Sequence, residues 1–307
     1  MKARILALAP LVLTATCDPI DWGPTQLGAG ETSAELRQVQ LGRDVYGTYC
    51  VGCHGEQGDG QGPAARFLDP KPRDFRLGRI KFASVSSGEA PRDEDYLRVL
   101  AAGLHGTAMP AFGLLPDREQ RAVVAYVKSF YKDWQNDPPG AAIAIDRDPW
   151  ADGPAAGVDA GRKAYHGIAK CWSCHPAYET FAEIAKINSL ANLPPPQMRP
   201  NPYDAESKES QWGAPIRAQD FLADGVKNGI GVEPLVRVIS AGVGGTAMPT
   251  WAGALEAKQL WGLAYYVRSL ALLRGTPEGT ALRQRLLAQP PPAPAPPATP
   301  PTQEEAQ

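Results

Sequence analysis

The chain has 307 residues, a formal net charge of −2, 43% hydrophobic residues and 21% charged ones. Those totals suit two soluble domains with tails, and without a basic surplus they exclude a nucleic-acid partner held by charge. Glycine and proline, at 31 each, add loop-rich domains and some unstructured sequence to the expectation.

Lys2 and Arg4 precede an apolar run from Ile5 to Thr16. A charged start and a short apolar stretch mark an export leader, too short to cross a bilayer as a helix. Cys17 closes this leader and resembles a bacterial lipoprotein processing site, in which the cysteine becomes the lipidated N-terminus. Thr14 and Thr16 depart from the usual pattern there, so loss with the leader and an odd thiol stay open as alternatives. Residues 1–17 are read as leader and 18–34 as tether.

From Glu35 to Tyr46 the apolar positions Leu36, Val39 and Val45 follow helical spacing and lead into Cys50-Val51-Gly52-Cys53-His54. A basic stretch follows, with Arg66, Lys71, Arg73, Arg76, Arg79 and Lys81 against Asp69 and Asp74. It is either a surface that steers an acidic partner or a solvated loop. Asp95 to Ala102 reads as a helix stopped by Gly103, and Pro116-Asp117 opens another with Val123, Val124, Tyr126, Val127 and Phe130 on one face. A Pro/Gly-rich linker spans 135–155, opened by Asp137-Pro138-Pro139-Gly140.

The same pattern then returns. Gly42-Arg43-Asp44-Val45-Tyr46 is matched by Gly161-Arg162-Lys163-Ala164-Tyr165, and the first Cys-x-x-Cys-His by Cys171-Trp172-Ser173-Cys174-His175. Gly106-Thr107-Ala108-Met109-Pro110 is matched by Gly245-Thr246-Ala247-Met248-Pro249, and Ala125-Tyr126-Val127 by Tyr265-Tyr266-Val267. Matches in one order predict a duplicated domain, 35–134 and 156–275. The second copy holds about 18 more residues between its histidine and its methionine, expected as a surface loop around Leu193 to Gln211. Residues 276–307, rich in proline after 290, are expected to be a disordered tail.

Cys-x-x-Cys-His is the attachment pattern of c-type haem. Two thiols on a tight turn add to the two vinyl groups, and the adjacent imidazole takes one face of the iron. Cys50, Cys53, Cys171 and Cys174 are therefore the expected attachment residues for two covalently bound haem c groups, with His54 and His175 as iron ligands. A four-ligand zinc site fits poorly, because the two cysteine pairs lie far apart. A redox dithiol would follow a strand, and no strand pattern precedes either pair.

Met109 and Met248 hold matching places, and a thioether opposite a histidine raises the haem potential. They are the expected opposite ligands. Met198, in the inserted stretch, and His105, which has Gly244 as its counterpart, are weaker candidates, and His166 reads as a surface or helix-end residue.

At these residues the chain resembles class I cytochromes c in a tandem di-haem arrangement. The resemblance implies an all-α fold in which the first and last helices of each domain cross, at Gly42, Tyr46 and Tyr126 in one copy and Gly161, Tyr165 and Tyr266 in the other. It also implies a proline carbonyl that accepts from the ligand histidine, for which Pro63 is the candidate. Arg73 and Arg217 are candidates for pairing with the haem propionates. With both faces of each iron taken, the expected activity is electron transfer rather than enzymic chemistry. The expected partners are redox proteins, either a membrane respiratory complex or a periplasmic oxidoreductase, reached by an exported chain anchored through Cys17. A di-haem peroxidase or thiosulfate-oxidising enzyme is the rival. Thiosulfate chemistry would need a further cysteine, and neither copy has one.

Overall fold

The computed structural model describes residues 32–290 except 212 and 214. The leader, Cys17 and the end of the tail lie outside the described residues. No described helix is long and apolar enough to cross a membrane.

Helix α1 (Ser33–Tyr49) starts on a capping box, in which the Glu35 carboxylate accepts from Thr32 N–H at 2.6 Å and Thr32 Oγ1 accepts from Glu35 N–H at 3.4 Å. A short turn of helix, α2 (Val51–His54), carries the first cysteine–histidine motif. Helix α3 (Asp93–Ala102) stops at Gly103, and α4 (Asp117–Ser129) closes the first helical unit. Helices α1 and α4 cross at Gly42, where a Cβ would lie 2.0 Å from the Ala122 carbonyl oxygen, so only glycine allows this approach. Beside the crossing, the rings of Tyr46 and Tyr126 meet edge-on at 5.3 Å.

The second unit reproduces these contacts with α5 (Pro154–His166), α6 (Phe181–Leu190), α7 (Val232–Ala241) and α8 (Ala257–Leu272). A Cβ on Gly161 would lie 1.9 Å from Gly262 O, and Tyr165 meets Tyr266 at 5.5 Å. Each unit has its own apolar core, built on Tyr46, Val123 and Tyr126 in the first and on Tyr165, Leu263 and Tyr266 in the second.

The inserted stretch is more than a surface loop. Strand β1 (Ser207–Glu209) pairs antiparallel with β2 (Pro215–Arg217). Just before them the Arg199 guanidinium donates to the carbonyls of Trp172 at 3.2 Å and His175 at 3.1 Å, and also to those of Asn201, Pro202 and Asp204. One planar cation thus ties the insertion to the second cysteine–histidine motif. Met198, expected on exposed loop, packs partly buried against the second core.

The expected tail begins later than 276. Residues Pro277–Leu287 form α9, with Thr276 accepting from Gly279 N–H as its cap and Pro277 in the first turn. Leu286 is buried, and Arg283 pairs with the buried Asp220 carboxylate at 2.7 Å. An apolar contact and an ion pair are enough to dock a helix that composition alone assigned to the proline-rich tail.

The linker is strapped down along both halves. Gly140 N–H donates to Ala90 O and Ile143 N–H to Ser84 O at 2.7 Å, on the first unit. Farther on, Trp261 Nε1 donates to Asp146 O at 3.1 Å and the Tyr265 hydroxyl to Asp148 at 2.7 Å, on the second. The two units also bond directly: His105 N–H donates to Lys227 O at 2.9 Å, Gly244 N–H to Lys81 O at 3.0 Å, and Ser87 N–H to Thr250 Oγ1 at 2.9 Å.

Candidate cofactor site

Backbone chemistry presents the motif histidines in the same way twice. His54 Nδ1 lies 3.1 Å from Arg73 O, and His175 Nδ1 lies 2.9 Å from Gln219 O. A carbonyl only accepts, so Nδ1 carries the proton and Nε2 keeps its lone pair for a metal. The expected acceptor Pro63 is thereby corrected to Arg73. Both imidazoles are held below their ordinary pKa, mainly by burial, which keeps them neutral as a ligand must be. Phe75 stacks on His54 and Phe221 on His175. Each aromatic belongs to an Asp-Phe pair whose preceding residue supplies the carbonyl, Arg73 before Asp74-Phe75 and Gln219 before Asp220-Phe221.

Behind each histidine a tyrosine fixes the turn. The Tyr46 hydroxyl donates to Gly55 O at 2.7 Å and that of Tyr165 to Pro176 O at 2.8 Å, each the residue after its histidine. The crossing helices therefore hold the cysteine–histidine turns directly.

The methionine loops are also alike. Met109 N–H donates to Thr107 Oγ1 at 3.1 Å and Met248 N–H to Thr246 Oγ1 at 3.1 Å. The same hydroxyls donate back to Leu104 O and Val243 O at 2.8 Å, forming a closed turn that presents the thioether.

In the first unit these parts converge. Cys50, Cys53, His54 and Met109 line one cleft of about 1300 Å³, counting its open mouth. Its lining is of the kind a large cofactor uses, mostly apolar with a few placed polar groups. Its walls include Leu68, Phe82, Leu100 and Val124, and its charged residues are Lys71, Arg73, Lys81 and Lys227, with no carboxylate among them. Cys171, Met248 and Met198 pack against the second core.

The donor set fits a haem. The four motif cysteines are unpaired, and burial is the main cause raising the Cys50 thiol to about 11 and the Cys171 thiol to about 12. Redox dithiols and zinc ligands need the opposite, a stabilised thiolate. Among the described residues no three His, Cys, Asp or Glu side chains group as a metal cage. An apolar slot with two thiols, a neutral imidazole, a thioether and a cationic rim matches a flat apolar macrocycle with two carboxylate arms.

The remaining candidates fall elsewhere. Arg217 pairs with Asp204 at 2.9 Å and lies near Asp224 at 3.6 Å, whereas Arg73 lines the cleft. The basic stretch is largely used internally: Arg76 pairs with Asp74 and Arg79 with Asp137. His105 is exposed and meets the second unit through its backbone. His166 ends α5 as expected but is fully buried, its Nε2 accepting from Tyr178 N–H at 3.1 Å.

Residues 37–127 match the family model described as cytochrome C oxidase, cbb3-type, subunit III. This stretch is a cytochrome c domain, which implies covalently bound haem c. A chain of the Kuenenia stuttgartiensis reducing HAO-like protein complex is similar in structure, with a TM-score of 0.61 and 28% identity. The similarity covers 80% of this chain and 98% of that one. No curated protein matches the chain.

Proposed function

We propose that the chain is a tandem di-haem cytochrome c, exported and carrying single electrons between redox proteins. Cys50 and Cys53 in the first unit, and Cys171 and Cys174 in the second, would form the thioether bonds. His54 and Met109 would take the two faces of one iron, and His175 and Met248 those of the other. The haems supply one-electron chemistry between ferric and ferrous iron. The protein orients each imidazole through a backbone carbonyl and a stacked phenylalanine, closes each thioether loop with a threonine hydroxyl, and keeps water from the apolar cleft.

The observation that carries this reading is the recurrence of one cradle, carbonyl to imidazole and hydroxyl to methionine turn, around both cysteine–histidine motifs. Two ligands per iron leave no position for a substrate, which favours an electron carrier over a peroxidase. The likeness to a chain of a reducing multi-protein complex favours service inside a larger assembly. Lipidation of Cys17 would hold the chain at a membrane, where a respiratory complex or a periplasmic oxidoreductase is the fitting partner.

Full-length protein made with a working cytochrome maturation system tests the reading. Its intact mass should exceed that of the processed polypeptide by two haems, and a redox titration should resolve two one-electron steps. A mass carrying one haem or none refutes it. Copurification with a respiratory protein after gentle solubilisation would separate a complex subunit from a free shuttle.

A further inference from the structure

We infer that Lys81 and Lys227 form a shared cationic seat for the carboxylate arms of the first unit's haem, so that the second unit completes the first unit's site. The inference rests on the haem reading above and extends it to the seam between the units.

The seam has an internal symmetry. Lys81 stands six residues after Phe75, which stacks on His54, and Lys227 stands six after Phe221, which stacks on His175. Their carbonyls accept the paired bonds of the seam, Lys81 O from Gly244 N–H and Lys227 O from His105 N–H. The donors are equivalent too, each four residues before its unit's loop methionine. Two like surfaces therefore meet face to face, as in a two-fold dimer interface. The approach is close: a Cβ on Gly244 would lie 2.4 Å from Ile80 O.

Both lysines line the cleft that holds Cys50, His54 and Met109, beside Arg73. Among the described residues neither lysine has a carboxylate within ion-pair distance, and no carboxylate lines the cleft. Burial, then the charges of Arg73 and Lys227, bring the Lys81 ammonium down to about 8. The neighbouring charges of Lys81 and Lys227 repel one another in the apolar cleft until an anion joins them, and a haem brings two carboxylates. Held there, the charges favour ferrous over ferric iron, because the reduced centre is less positive.

Redox titration of full-length haem-loaded protein, with intact mass measured in parallel, tests the inference on Lys227→Met, Lys81→Met and Lys227→Arg. Each Met variant should shift one haem's ferrous-to-ferric ratio downward by about tenfold at fixed potential, ~59 mV for one electron. Lys227→Arg, which keeps the charge, should titrate like the parent. Unchanged potentials in Lys227→Met with both haems attached would overturn the inference, as would an equal drop in Lys227→Arg. If Lys227→Met does not accumulate, Lys227→Gln reads the same shift. Haem missing from the parent protein would strike the underlying haem reading instead, so the two failures are distinguishable.

Discussion

Phe75 lies nearly flat on His54, with ring centroids 4.4 Å apart and planes 20° from parallel. The imidazole is pinned from one side by that ring and at Nδ1 by the Arg73 carbonyl, so it has little freedom to rotate. Phe75→Leu keeps apolar volume and removes the flat surface. It should cost about 1 kcal/mol in urea unfolding and broaden the low-spin resonance of that haem, while Arg73→Lys, which keeps the carbonyl, leaves the resonance sharp.

The three internal methionines should separate cleanly. Met109→Ala and Met248→Ala should each lower the midpoint of one haem, because a thioether favours ferrous iron. Met198→Ala should cost packing against the second core, roughly 2 kcal/mol, and leave both midpoints in place. A drop for Met198→Ala, seen by redox titration, would make it the ligand instead of Met248.

His166 predicts a pH dependence. Burial, the largest cause, depresses its folded pKa to about 4. The unfolded residue titrates near 6.5. Between those values the unfolded chain binds a proton that the folded one refuses, so stability falls as pH drops from about 6.5 to about 4 and this contribution levels off below. Denaturant midpoints across that range should show the slope in the parent and lose it in His166→Gln.

Arg283→Ala should loosen α9. Asp220, 1% exposed, keeps the Tyr178 hydroxyl and Leu222 N–H but loses its only ion-pair cation among the described residues. The half-open pair makes the loss about 2 kcal/mol rather than the value of a fully buried one. Hydrogen exchange over 277–287 should rise more than exchange in α8.

Much of the site was legible because its parts carry residue identity at fixed spacing. The cysteine–histidine turns, the glycines at the crossings and the placed methionines are of that kind, and the structure sets the first unit's cysteines, histidine and methionine around one cleft. What escaped were contacts made by backbone atoms, which any residue can supply. The carbonyl facing His54 belongs to Arg73 rather than Pro63, and the paired seam bonds use only main-chain groups. The recurring Asp-Phe with a lysine six residues on marked both, but the units differ too much between those anchors for it to stand out. The insertion read as loop because it is polar and proline-rich, although the bonds from Arg199 give it order. Helix α9 carried its own signals, Thr276 and Pro277 at the start and Leu282 and Leu286 one turn apart, diluted by the prolines that follow.

The strap between the units changes owner over a very short stretch, since Ile143 still bonds to the first and Asp146 already bonds to the second. Three residues of extended chain reach only about 10 Å. Were the facing surfaces to part, the two anchor points of the strap would stay within about 10 Å of each other, which keeps the effective concentration of one unit at the other high. Separation of the units is thus a hinging about this short segment rather than a dissociation.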